Sequence, residues 1–357
     1  MTWSFLQTIT SSIRLLWGDF MILISKLILL VVIVVNVIFP ESVPNPVSLI
    51  KAITTPHYKN PILEASEHPI IKSNGQIISL SKIKDPNNPK TIETYRMMYW
   101  SQGKKVEAYV AAPKKLGDFP MFVQLHGGYV IPEYNMHVKS LINNGETIPI
   151  DQSFIDYAEE DVITLAPMYQ GYGESEGLIN GINSNTIDTQ NAIKALKGYL
   201  DSNKHFPHVE KGHLYVEGSS MGGGVAMKLA SERSDIMSVV AISPFIGWDI
   251  TANWEKAHDQ GAYETFTFYY GPLRPNATKI KKDSIDFSKI KAPTLLVQGT
   301  KDPNVEWETV QTFYNKMKAD HKNVTFKLIK GGNHGLTNKE DQLTQIYNDW
   351  YDAHSQD

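Results

Sequence analysis

At 357 residues and 42% hydrophobic content, the chain can build one large α/β domain or two smaller ones around a sizeable core. A formal net charge of −4 and the lack of any long Lys/Arg run argue against nucleic-acid binding. There is no cysteine, so disulfides, thiolate metal sites and cysteine nucleophiles are ruled out, and the redox compartment is left open.

The first elements in the chain are not those of a globular domain. From Phe20 to Phe39 the only polar residues are Ser25, Lys26 and Asn36, and Leu27 to Val35 is unbroken aliphatic. Twenty helical residues span about 30 Å, the thickness of a bilayer's hydrocarbon layer, so residues 19–40 are expected to form a transmembrane anchor. A signal peptide is the alternative, but Val37-Ile38-Phe39-Pro40 offers no small-residue cleavage site, which favours an uncleaved anchor. Trp3, Leu6, Ile13, Trp17 and Phe20 fall near one helical face, so residues 1–18 read as an interfacial segment. Arg14 and Lys26 ahead of the core of the span and Glu41 after it favour an internal N-terminus and an external catalytic domain.

Pro40 to Pro61 holds five prolines without a clear period and reads as a tether. Together with one or two short strands around Asn74-Gly75, within Ile70 to Ile83, it fills the linker region 41–92. A globular domain over 93–354 follows. Thr94 to Trp100 and Val106 to Ala111 flank Gln102-Gly103-Lys104 as a β-hairpin, the antiparallel edge of a larger sheet. Met121 to Leu125 is a strand ending in His126-Gly127-Gly128-Tyr129, where a glycine pair lets backbone N–H groups approach a ligand. Val162 to Ala166 is the next, running into a Gly-rich loop, Gly171 to Gly177, that lacks the Gly-Lys-Ser/Thr of a nucleotide site. Ala192, Ile193, Leu196, Tyr199 and Leu200 mark an amphipathic helix. His205, His208 and His213 come without a carboxylate or cysteine pattern, so no metal site is expected.

The stretch His213 to Ala230 carries the chemistry. A short apolar strand, Leu214 to Val216, turns sharply through Gly218, Ser219, Ser220, Met221 and Gly222 into a helix marked by Val225, Ala226, Leu229 and Ala230. A G-x-S-x-G between strand and helix is a nucleophile elbow; Gly218 and Gly222 would spare the neighbouring backbone a collision, and Ser220 Oγ would stand clear of the sheet. Val239 to Ile242 is a further strand, after which 245–290 interrupts the alternation with many aromatics. Trp248, Trp254, Phe268 and Tyr269 are candidates for a substrate pocket beneath a lid, or else rings that pack the insertion onto the body. Thr294 to Gln298 precedes Asp302, and Val324 to Ile329 precedes His334; a helix bearing Leu343, Ile346 and Trp350 closes the domain.

Ser220, Asp302 and His334 thus follow in the order nucleophile, acid, base, each in the loop after a separate strand. Parallel strands put these loops on one edge, where His334 could take the serine proton and Asp302 fix the imidazole. From about Tyr95 to Trp350 the chain resembles the catalytic domain of the prolyl oligopeptidase family, within the α/β-hydrolase superfamily. The resemblance rests on Val106-Glu107-Ala108-Tyr109 through Pro113, His126-Gly127-Gly128, Gly171-Tyr172-Gly173 with Ser175-Glu176-Gly177, Gly218-x-Ser220-Met221-Gly222-Gly223, Ile290-Lys291-Ala292-Pro293 through Asp302, and Asn333-His334-Gly335.

The resemblance implies a mostly parallel eight-stranded sheet with helices on both faces. It also implies a backbone oxyanion hole from Met221 and the His-Gly-Gly loop, where Gly128 and Tyr129 are the candidates, and no cofactor. Tyr129 replaces a common proline, which leaves its N–H as a possible donor; Met168 and Gln170 replace an Asp and an Arg, so an ion pair is missing. Fewer than sixty residues separate the anchor from the hydrolase, too few for the several four-stranded blades of a β-propeller, so peptidase specificity is not expected to carry over. The expected activity is that of a membrane-anchored serine hydrolase cleaving a small carboxylic ester through an acyl-enzyme. The alternatives are a short-peptide serine peptidase, a non-catalytic binding module on the same fold, and transfer of the acyl group to an acceptor other than water.

Overall fold

The computed structural model describes residues 74–83, 90–130, 140–143, 146–149, 160–271 and 277–354. These belong to one compact unit, His68–Asp357. The expected interfacial segment 1–18, anchor 19–40 and tether Pro40 to Pro61 lie outside the described residues. Among those described, no helix is long and apolar enough to cross a membrane.

Strands β1 (Ile77–Ile83), β2 (Ile92–Ser101) and β3 (Lys104–Pro113) form an antiparallel edge. The expected hairpin is β2–β3, with Gln102 and Gly103 both at positive φ in its turn. Strands β4 (Asp118–Leu125), β7 (Ile163–Pro167), β8 (His208–Ser219), β9 (Ile236–Ile242), β10 (Thr294–Gly299) and β11 (Val324–Ile329) run mutually parallel. The sheet order is β1-β2-β3-β7-β4-β8-β9-β10-β11. It has nine strands rather than eight, because β1 pairs along the outer edge of β2. A separate small hairpin, β5 (Ser140–Asn143) with β6 (Glu146–Pro149), was not expected from the sequence.

The parallel strands alternate with helices α1 (Ile182–Ser202), α2 (Met221–Glu232), α6 (Trp307–Ala319) and α7 (Glu340–His354). The interruption after β9 contains α3 (Trp248–His258), α4 (Gln260–Tyr270) and α5 (Ala277–Lys282). Helix α2 is buried almost throughout, as an apolar helix in a core must be. Two apolar cores sandwich the sheet. One gathers Met121, Leu165, Leu196, Val225 and Phe313; the other sets Val240, Val297 and Ile329 against Trp350 of α7. Because β8, β10 and β11 are parallel, the loops that follow them leave from one rim of the sheet.

Candidate active site

At the end of β8 the chain enters α2 through Ser220, held at φ 56° and ψ −122°, a conformation that side-chain-bearing residues rarely adopt. The two glycines permit it. A Cβ on Gly218 would lie 2.2 Å from the Gly222 carbonyl oxygen, and one on Gly222 2.0 Å from that of Leu125. The turn is braced by the Ser220 N–H donating to Ile242 O and by Ser220 O accepting the Phe245 N–H, both at 2.9 Å. Ser220 therefore stands at the positive end of α2.

Asp302 and His334 meet. His334 Nδ1 lies 2.9 Å from Asp302 Oδ2 and 3.0 Å from Oδ1. The Asp302 side chain is fully buried, and that of His334 is 24% exposed. Backbone bonds lock the two loops together: Lys301 N–H donates to Gly332 O at 2.9 Å and Thr300 N–H to Ile329 O at 3.0 Å. Burial would raise the Asp302 carboxyl, but the His334 hydrogen bond and charge, with the Asn304 and Val305 N–H groups, bring it below its ordinary value. No hydrogen bond links His334 to Ser220 Oγ; such bonds are often long before substrate binds.

A residue the sequence reading missed supports Asp302. Gln298, fully buried at the end of β10, donates Nε2 to Asp302 Oδ2 at 2.9 Å, and also to Val305 O and Gly299 O. Its signal was a polar side chain closing the otherwise apolar run Leu295-Leu296-Val297. Farther out, burial and then the charges of Glu306 and Asp259 push Glu255 of α3 up to about 7. Glu306 is raised too, first by burial, with Asp259 and Asp302 adding charge.

The His126–Val130 loop lies against Ser220, since a Cβ on Gly127 would be 3.2 Å from Ser220 Cβ and 3.8 Å from its Oγ. As the first residue of α2, Met221 has an N–H with no helical carbonyl to meet. Gly128 is exposed, and a Cβ there would come 3.1 Å from Met221 Cε. Tyr129 is different: its N–H donates to Tyr172 Oη at 2.8 Å. The expectation of a free Tyr129 donor is thereby corrected, because a hydroxyl from the loop after β7 takes it.

The four aromatic pocket candidates scatter. Trp248 packs inside the insertion against Phe245 and Phe266, with ring centroids 4.9 Å away in each case, as in the packing alternative. Trp254 stacks on His258 at 4.7 Å, and Phe268 is 83% exposed, in edge contact with Tyr269. Where an ion pair was expected to be missing, Gln170 instead donates its N–H and Nε2 to buried Asp188, at 3.0 and 3.2 Å. His213 Nδ1 lies 3.4 Å from Glu210 Oε1, and among the described residues no group of three or more His, Asp or Glu could hold a metal ion.

Comparison with known proteins bears on the fold that carries this site. Residues 185–356 match the family model described as the prolyl oligopeptidase family. The chain is 26% identical over 276 residues to the uncharacterized peptidase YtmA of Bacillus subtilis (strain 168), covering 74% of this chain and 97% of that one. Among solved structures, acetyl xylan esterase 1 from Thermoanaerobacterium sp. JW/SL YS485 superposes with a TM-score of 0.52 at 19% identity, over 75% of this chain and 86% of that one. Pyrococcus horikoshii acylaminoacyl peptidase gives a TM-score of 0.56 at 15% identity, over 74% of this chain and 41% of that one. The fold is thus that of the α/β hydrolases.

Proposed function

We propose that the chain is a serine hydrolase that cleaves a small carboxylic ester through an acyl-enzyme. Ser220 Oγ attacks the carbonyl carbon while His334 takes its proton and later returns it to the leaving alcohol. Asp302 keeps the imidazole in the tautomer whose free nitrogen can accept that proton. The Met221 and Gly128 N–H groups receive the oxyanion, each donor contributing about 3 kcal/mol to the transition state. Water then attacks the acyl-enzyme and regenerates Ser220. The observation that carries this reading is the His334–Asp302 contact at 2.9 Å, on the rim where the elbow holds Ser220 in its strained turn.

Support for an ester comes from the extent of the likeness. The chain spans 86% of an acetyl xylan esterase but 41% of an acylaminoacyl peptidase, so more than half of the latter has no counterpart in the match. Hydrolysis of short peptides is the second reading, favoured by the family match and the relative in Bacillus subtilis. The remaining part of the proposal concerns location. Residues 19–40 anchor the chain in a membrane, with the hydrolase outside the cytoplasm, supported by the unbroken aliphatic run Leu27 to Val35.

The test compares p-nitrophenyl esters of graded acyl length with aminoacyl p-nitroanilides, and labels the enzyme with a fluorophosphonate. Turnover of esters, with label on Ser220 and none on Ser220→Ala, is the expected result. Faster anilide turnover would favour the peptidase reading, and an unlabelled, inert wild-type chain would make the fold a binding module. Residence of the full chain in the membrane after alkaline carbonate extraction tests the anchor.

A further inference from the structure

Tyr172 touches both halves of the oxyanion hole proposed above. Its hydroxyl accepts the Tyr129 N–H at 2.8 Å, one residue past Gly128, and lies 3.9 Å from Met221 Sδ. The fit at Gly128 is close, because a Cβ there would stand 2.4 Å from Tyr172 Oη. Asn185 Nδ2 of α1 approaches the same Met221 sulfur at 3.2 Å, so the side chain next to the nucleophile is held from two sides. The far end of the loop is held as well. Val130 O accepts both Trp248 Nε1 at 3.0 Å and Tyr270 Oη at 2.9 Å, from helices α3 and α4 of the insertion. No hydrogen bond among the described residues uses the Gly127 or Gly128 N–H.

From this arrangement we infer that Tyr172 is a positioning residue for the oxyanion hole. By taking the Tyr129 N–H it fixes the loop so that the Gly128 N–H, beside that of Met221, faces the reacting carbonyl. The insertion completes the clamp through Trp248 and Tyr270 on Val130 O. The physical need is plain. One of the two donors sits on a glycine loop with no helix or sheet ladder to hold it, and an oxyanion donor acts only when aimed in advance at the place where charge develops. A displacement of 1 Å at such a site costs roughly a hundredfold in rate. This role rests on the serine-hydrolase reading and makes the insertion a support for the loop.

The experiment uses the full chain, p-nitrophenyl acetate and its thionoester analogue, in which sulfur replaces the carbonyl oxygen. A thiolate-like sulfur accepts hydrogen bonds poorly, so the rate ratio of oxygen to sulfur ester reports the oxyanion hole itself. Tyr172→Phe keeps the ring and removes the acceptor. Its kcat on p-nitrophenyl acetate should fall roughly 10- to 100-fold with KM within about twofold, the mark of an interaction made in the transition state. The oxygen-to-sulfur ratio should fall with it. Tyr270→Phe, which leaves Trp248 on the same carbonyl, should lose only a few fold, with a smaller drop in the ratio.

An unchanged kcat in Tyr172→Phe, or a lower kcat at an unchanged ratio, would overturn the role while leaving the hydrolase reading intact. Should Tyr172→Phe not fold, an unaltered ratio in Tyr270→Phe would count equally against the clamp. A wild-type enzyme that neither turns over the ester nor takes fluorophosphonate would instead bring down the hydrolase reading, and this inference with it.

Discussion

Tyr347 donates its hydroxyl to Glu217 Oε1 at 2.8 Å, tying helix α7 to the strand that leads into Ser220. Tyr351, one turn farther along α7, donates to Oε2 of the same carboxyl at 3.1 Å. Helix α7 follows directly on the short turn His334–Lys339, so this contact ties the nucleophile strand to the element that continues from His334.

Glu217 should make the fold sensitive to pH. Burial pushes its carboxyl from 4.5 up to about 7, against the lowering effect of the two tyrosine hydroxyls. Between those values the native state binds the proton more tightly than the unfolded chain, so stability falls as pH rises from about 4.5 to about 7 and levels off above. A shift of this size corresponds to about 3 kcal/mol as an upper bound. Glu217→Gln cannot ionise, so its stability relative to wild type should rise by up to that amount across the same interval. Urea denaturation of both proteins at pH 5 and pH 8 measures it; parallel curves would show that Glu217 titrates normally.

Ser220, the proposed nucleophile, sits in a strained turn. At φ 56° and ψ −122° a residue with a Cβ is held at a cost of about 1–3 kcal/mol, a cost glycine does not bear. Exposed or helical Ala-to-Gly changes usually lose about 1 kcal/mol, but here the sign should reverse. Ser220→Gly is expected to be at least as stable as Ser220→Ala, with both inactive on p-nitrophenyl acetate and with melting temperatures at or above wild type. A Ser220→Gly protein clearly less stable than Ser220→Ala would mean that the elbow is not strained.

Asp302→Asn tests the acid through its neighbours. Oδ1 accepts the Asn304 and Val305 N–H groups at 2.8 and 3.0 Å, so an asparagine must keep its oxygen there. Its amide nitrogen then faces both His334 Nδ1 and Gln298 Nε2, presenting a donor where an acceptor is needed. The imidazole is driven into the wrong tautomer, and kcat should fall by about 10⁴, as in serine-protease triads. Gln298→Leu removes one donor to Asp302 without changing the tautomer, so its loss of kcat should be far smaller. Equal losses in the two variants would place the effect of Asp302→Asn in loop structure rather than in the proton carrier.

Much of this was legible in the chain because it is written locally. The elbow shows as Gly218-x-Ser220-x-Gly222 between an apolar strand and an apolar helix, and the stations of Asp302 and His334 show as polar loops after Thr294 to Gln298 and Val324 to Ile329. What stayed hidden depends on partners distant in sequence. The sequence left the Tyr129 N–H free because its acceptor, Tyr172, lies 43 residues on. Trp248 reads equally as a pocket ring or as packing of the insertion, and only the fold shows it turned inward with its Nε1 on Val130 O, 118 residues away. The outermost strand, β1, carries a half-exposed pattern, Ile77-Ile78-Ser79-Leu80, and becomes a ninth strand only because β2 offers an open edge.

Asp188 is a buried carboxyl held by hydrogen bonds, and Gln170 tests that support. The carboxyl is fully buried and accepts Ser101 Oγ at 2.6 Å, Gln102 Nε2 at 2.9 Å, and both the N–H and the Nε2 of Gln170. Burial raises its pKa, and the four hydrogen bonds oppose that rise. Gln170→Leu deletes the Nε2 donor while leaving the backbone N–H, so the pKa of Asp188 should climb further and the charged form become harder to hold. A carboxyl raised in the folded state loses stability as pH rises through that region, and the variant should lose more than wild type. The expected cost is about 1–3 kcal/mol at pH 8 and clearly less at pH 5, where more of the carboxyl is protonated and needs fewer donors. Denaturant midpoints at the two pH values decide it: a loss independent of pH would assign Gln170 to packing against Gly177, whose Cβ position lies 2.5 Å from Gln170 Oε1, rather than to the support of Asp188.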